Sequence, residues 1–275
     1  MEKKIFKLNN QKIRVYFPMN TAKQKNDWKK ILRTCLVSYS KVKGNYAGFK
    51  SRSAMADFLK QEMFGFGSIG KLKNKKIDAQ KTSQLVRQTI QQCQRKVTMP
   101  QAISTHCFPS YNQFINKRMR GVSGYTSNQK NILLFLSPQP GWQRHLQYPI
   151  AHEYAHLLAY TYHPWKTLLD SLIFEGIAEH FREVAIGGPK AAWVKAISPK
   201  QSHEIFKKIS KKLNSVKITD YNQLFFGAER KYPLWAGYAL GYEIIKSFRN
   251  RYKNIPWLKI VQKTPKSILT ESSYK

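Results

Sequence analysis

The chain has 275 residues, 42% of them apolar and 13% aromatic, enough to bury a sizeable core without covalent staples. Its 48 Lys plus Arg against 15 Asp plus Glu give a net charge of +33, which excludes an acidic or neutral surface and predicts attraction to polyanions. Three cysteines, Cys35, Cys93 and Cys107, form no CxxC pair, so a disulfide framework and a cysteine zinc finger are both excluded and reduced, buried thiols are expected.

The N-terminal MEKKIFKLNNQKIRVYF has early lysines but no apolar run of signal-peptide length and no small-residue cleavage site. No run of eighteen apolar residues follows, so no transmembrane segment is expected and a cytoplasmic location is. Lys12–Phe17 reads as a strand ended by Pro18, and helical apolar spacing (Trp28, Ile31, Leu32, Cys35, Leu36) predicts a helix over Thr21–Tyr39. A second helix is expected over Ser51–Phe64, then the loop FGFGSIGKLKNKK, then a polar helix over Asp78–Lys96 reaching a break at Pro100.

Beyond that point the texture changes. Ile103–Phe108 and Ile132–Leu136 read as short buried strands, the second closed by the turn sequence SPQPG. Helices are expected over Pro149–Thr161, Trp165–Ile186 (stopped by Gly187-Gly188), Pro199–Leu213 and Pro233–Tyr252, with a C-terminal pair split at Pro265. Pro149, Pro199 and Pro233 suit a first helical turn, where a missing N–H costs nothing. The fold class is α+β. Residues 1–97 form a mostly helical N-terminal region without a recognisable motif, and residues 98–275 form the domain that carries the chemistry.

Basic residues are scattered, with denser groups at Lys71, Lys73, Lys75 and Lys76 and at Lys207, Lys208, Lys211 and Lys212. The second group has helical spacing and reads as a solvated face. With no recognisable nucleic-acid motif, the expected partner is any polyanion, bound non-specifically. The acids are less evenly spread. Five of the 15 (Glu153, Asp170, Glu175, Glu179, Glu183) fall between positions 150 and 185.

That region contains IAHEYAHLLAY. On a helix, His152 and His156 stand one turn apart and about 40° apart around the axis, so both imidazoles can reach one Zn²⁺. Glu153 stands beside them, placed to serve as general base. Ile150, Ala151, Tyr154, Ala155 and Leu158 fill the opposite arc and suit a core. The ordinary alternative is a helix with two surface histidines, so a third ligand matters. A metzincin needs Gly and His at positions that hold Ala159 and Tyr162, with His163 one residue out of register, and is excluded. In LLDSLIFEGIAEHFREV, Glu175 follows His156 after eighteen intervening residues, room for a turn at His163-Pro164 and a returning helix. Glu175 and Glu179 share one face of it, while Phe174, Ile177 and Phe181 share the other. With Glu175 as ligand, Glu179 lies one turn on, where it can orient a ligand imidazole. His180 points away from Glu175.

HExxH followed by this glutamate is the gluzincin signature. HEYAH, LLDSLIFEGIAEHF and YPLWAGYALGY together resemble the bacterial YjaZ-type family of predicted zinc-dependent proteases, over about residues 100–250. The resemblance implies a zincin-like fold with an edge strand beside the HExxH helix, supplied by NILLFLS. It also implies metal ligands His152, His156 and Glu175, base Glu153, and a peptide or protein substrate. The tetrahedral intermediate of such a hydrolysis needs a further electrophile, for which Tyr238 and Tyr242, one turn apart, are candidates beside the plainer reading of two packing tyrosines. Two other readings stand: a regulatory or polyanion-binding protein that retains a metallopeptidase fold, and a zinc hydrolase of a non-peptide bond.

Overall fold

The computed structural model describes residues 2–8, 11–18, 29, 32, 33, 35, 51–65 and 77–274. Of the helix expected over 21–39, only Lys29, Leu32, Arg33 and Cys35 are among these, and they are helical; the lysines at 71–76 lie outside the described residues. The architecture is α+β: among the described residues there are a five-stranded mixed sheet and about ten helices, 58% helical. It divides into two units, Met1–Leu157 and Leu158–Lys275. No helix among the described residues is long and apolar enough to cross a membrane.

The first unit is built on the sheet. Strands β1 (Glu2–Leu8) and β2 (Gln11–Phe17) form an antiparallel hairpin, Glu2 opposite Phe17 and Leu8 opposite Gln11. β2 runs parallel to β3 (Ile103–Pro109). β4 (Val122–Asn128) and β5 (Asn131–Leu136) follow, in the spatial order β1-β2-β3-β5-β4. β3 and β5 are buried along their whole length: β5 (NILLFL) is a nearly continuous apolar run, whereas β3 (ISTHCFP) carries Ser104, Thr105 and His106 into the interior. Residues on both sides of position 97 therefore build one sheet.

Two strands were not foreseen. β1 is mostly exposed and lysine-rich, and β4 (VSGYTSN) is polar with a glycine, so neither has an apolar alternation of its own; pairing with a neighbour makes each a strand. The edge-strand expectation needs correcting. NILLFLS is the internal β5, hydrogen-bonded on both sides, and β4 is the edge.

Helix α1 (Arg52–Phe64) starts at Ser51, whose hydroxyl accepts the Ala54 N–H, and α2 (Ala79–Gln94) starts at Asp78, whose carboxylate accepts the Lys81 N–H. Met55, Leu59, Met63 and Phe64 of α1 join Phe108, Leu133 and Phe135 of the sheet in one apolar cluster. Cys35, Cys93 and Cys107 are unbridged and buried, and burial pushes their thiols well above the ordinary range. The short α3 (Gln113–Arg118) precedes β4, and α4 (Gln147–Tyr162) follows β5.

The second unit is helical. α5 (Leu168–Ile186) opens with a capping box between Thr167 and Asp170 and ends at Gly187, whose φ is 74°. α6 (Pro199–Ile209) has a capping box between Ser198 and Gln201, with Pro199 in its first turn. Lys207 and Lys208 near its end, and Lys211 and Lys212 beyond it, are exposed. α7 (Ile218–Phe226) has no side-chain cap and was not foreseen. α8 (Ala236–Arg251) starts three residues after the expected Pro233, because Trp235 holds a left-handed φ of 69° that no helix continues. Pro265 separates α9 (Trp257–Gln262) from α10 (Pro265–Thr270), as its missing N–H requires.

α5 and α8 cross at glycines. A Cβ on Gly176 would stand 2.2 Å from the Gly241 carbonyl oxygen, and one on Gly241 2.1 Å from the Leu172 carbonyl oxygen. Backbone meets backbone here, an approach only glycine permits.

Candidate metal centre

Helix α4 carries IAHEYAHLLAY. Ile150, Ala151, Tyr154, Ala155 and Leu158 are all buried, as their shared arc predicts. The roll of the helix is set by Tyr154, whose hydroxyl donates to the Val97 carbonyl at 2.7 Å and accepts the Met99 N–H at 3.1 Å. Those two bonds occupy the polar end of an otherwise apolar ring, so rotation of the helix would strand them.

With that roll, His152 and His156 stand together. Their Nε2 atoms are 3.0 Å apart and their ring planes nearly perpendicular, at 85°. Two imidazoles on one tetrahedral zinc, each about 2.0–2.1 Å from it, place their nitrogens roughly 3.3 Å apart, so the observed pair fits one ion. One donor atom each from His152, His156 and Glu175 lie within 4.8 Å of one another. The three residues are only 9%, 4% and 6% exposed, which shields the donors from bulk water. Two neutral nitrogens and a carboxylate oxygen are a donor set that suits zinc and leaves a coordination position open.

Glu153 is 6% exposed. Its backbone carbonyl accepts the Thr126 hydroxyl of β4 at 2.9 Å, and its side chain lies against Gly124 of the same strand. Gly124 and Thr126 are two residues apart and so face the same side of the sheet. Between them Tyr125 faces the other way, its ring 4.4 Å from that of Phe58 on α1. Its hydroxyl is pushed upward by burial first and then by the carboxylates of Glu153 and Glu62. Glu62, one turn beyond Phe58, is itself raised to about 7 by burial.

In the second unit, Glu179 lies one turn after Glu175 and is 1% exposed. Its carboxylate accepts from Trp193 Nε1 at 2.9 Å and from Arg182 Nη2 at 3.1 Å. Arg182 also donates to the Gly187 and Pro189 carbonyls, so the buried pair is hydrogen-bonded on both sides. The His180 ring is stacked on that of Tyr242, their centroids 4.1 Å apart. Its Nε2–H donates to the Tyr242 carbonyl and its Nδ1 faces Arg249, and burial lowers its pKa to about 3.

The two tyrosines of WAGYALGY have different surroundings. Tyr242 is 3% exposed and its hydroxyl donates to Glu183 Oε2 at 3.0 Å. Tyr238 is half-buried, edge-on to Phe225 at 5.1 Å and 6.5 Å from the ring of Trp193. Gly124, Thr126, Trp193 and Arg182 were missed in the sequence. No local periodicity marks them, and each matters only through a partner from another element.

His152, His156 and Glu175 form a group whose donor atoms could hold one metal ion. The chain belongs to the family described as predicted Zn-dependent protease (DUF2268), whose family model matches residues 79–270. This is the family the HEYAH and EGIAEHF motifs resembled, and its cofactor is zinc. A comparison with curated proteins finds no match.

Proposed function

We propose that the protein is a zinc peptidase in which His152, His156 and Glu175 hold the metal and Glu153 is the general base. The observation that carries this reading is the convergence of three buried donor atoms within 4.8 Å on the helix pair that bears Glu153. Bound there, zinc would supply Lewis-acid polarisation of the scissile carbonyl and acidification of the attacking water. The Glu153 carboxylate takes that water's proton and passes it to the leaving amine nitrogen. Its near-complete burial keeps competing water away from the carboxylate. Glu179, anchored by Arg182 and Trp193, steadies the helix turn that presents Glu175.

The substrate class proposed is a peptide or protein, with β4, the strand against which Glu153 lies, as the element beside the general base. Tyr238 and Tyr242 are the candidate donors to a developing oxyanion, the Tyr242 hydroxyl being engaged by Glu183.

The test joins metal analysis to peptide cleavage. Wild type should retain about one zinc per chain and cleave members of a peptide library. Glu153→Gln keeps the side chain's size and removes its basic site, so it should keep zinc and fold while losing at least about 10²-fold in kcat. Near-wild-type activity in a zinc-loaded Glu153→Gln protein would overturn the mechanism.

A further inference from the structure

Gly124 stands against the side chain of Glu153 with no space between them. A Cβ built on Gly124 would lie 2.6 Å from Glu153 Cγ, 3.0 Å from its Oε1 and 3.1 Å from its Cδ. All three atoms belong to the glutamate side chain and none to backbone. A methyl group there would therefore displace the carboxylate before it moved strand or helix. Two residues on, the Thr126 hydroxyl holds the Glu153 carbonyl at 2.9 Å, so β4 fixes the main chain of Glu153 while Gly124 gives its side chain a place to lie. Nothing in the backbone conformation calls for glycine at this position: Gly124 is absent from the positive-φ residues and sits inside a regular strand, where glycine is unfavourable. Contact with Glu153 is the remaining reason for a glycine here.

We infer that Gly124 is a positioning residue: by lacking a side chain it leaves the Glu153 side chain the space it occupies against β4, and Thr126 anchors the same residue from its main chain. This rests on Glu153 as the base. The consequence is specific. A small side chain at 124 should leave the metal donors and the fold in place and misplace only the proton acceptor.

The experiment compares Gly124→Ala, Gly124→Val, Thr126→Val and Thr126→Ser as full-length, zinc-loaded proteins, by crystallography, zinc content and peptide kinetics. In Gly124→Ala the Glu153 side chain should occupy a different rotamer while β4 and α4 superpose on wild type and zinc remains about one per chain. Its kcat should fall by about 10²-fold, the cost of a misplacement near 1 Å, with KM little changed, and Gly124→Val should lose more. Thr126→Val should show a smaller loss of kcat, which Thr126→Ser restores by keeping the hydroxyl. An unmoved Glu153 in Gly124→Ala, or an unchanged kcat alongside a moved Glu153, would overturn the inference. If wild type cleaves no peptide, the proposed function fails while the rotamer in the crystal still decides whether Gly124 positions Glu153.

Discussion

Gly176 and Gly241 bring the backbones of α5 and α8 together so closely that a Cβ on Gly176 would stand 2.2 Å from the carbonyl oxygen of Gly241. Glu175 is the residue immediately before that crossing, so the placement of a proposed ligand depends on two glycines that bind nothing. Gly241→Ala should force the helices apart and lower stability by about 1–3 kcal/mol, the usual cost of overpacking. Zinc affinity should fall with it, because α5 carries Glu175 out of position. Thermal unfolding and a zinc-competition titration check the two effects. Unchanged stability in Gly241→Ala would show that the crossing yields without cost.

Glu175 and Glu179 share a helix face but should fail in different ways. Glu175→Ala removes a donor and should abolish tight zinc binding. Glu179→Ala removes the closer carboxylate from the buried Arg182, which keeps Glu183 at 3.5 Å and two backbone carbonyls, and should cost about 1–3 kcal/mol of stability. Its zinc affinity should drop only about 10–100-fold, as for groups that act through a ligand. Metal titration alongside urea unfolding separates the two; the reverse order would make Glu179 the ligand.

Stability should decline with acid from near pH 6.5. His106 is buried in β3, its ring stacked 4.7 Å from Tyr16, and burial lowers its pKa from 6.5 to about 3. The unfolded chain binds the proton first, so the neutral histidine's contribution is complete above about pH 6.5 and is lost as pH falls towards 3. His106→Phe retains the stacking and cannot titrate. Its unfolding free energy should therefore depend less on pH than that of wild type between pH 6.5 and 4, as measured by urea titration. Parallel profiles for the two proteins would remove His106 from the account.

The +33 charge predicts binding to DNA or another polyanion that is independent of sequence and falls steeply with added salt. Lys207, Lys208 and Lys211 form an exposed basic face at the end of α6 and just beyond. Replacing all three with Gln should weaken duplex binding and flatten its salt dependence in fluorescence anisotropy. Selective retention of one DNA sequence at high salt would instead indicate a recognition surface.

Much of the candidate centre was legible in the sequence, because helix geometry is local. Residues four apart share a face whatever surrounds them, so His152 and His156 pair, Glu153 stands beside them, and Glu175 and Glu179 align. Caps and breakers such as Ser51, Asp78, Gly187 and Pro265 act within one turn and bounded their helices correctly, whereas the start expected at Trp165 lies at the Thr167 cap. What only the tertiary structure decided depends on a partner distant in the chain. VSGYTSN carries no strand pattern and becomes the edge β4 by pairing with β5, which displaces NILLFLS from the edge position expected of it. Gly124 looks like a turn residue until Glu153 is set against it. The glycines of WAGYALGY suit a close helix approach, but only the fold shows that Gly241 meets Gly176, and Trp193 acquires its role only when its indole N–H reaches Glu179. Periodicity reports which face of an element is buried; which element covers that face is a long-range contact, and no local spacing encodes it.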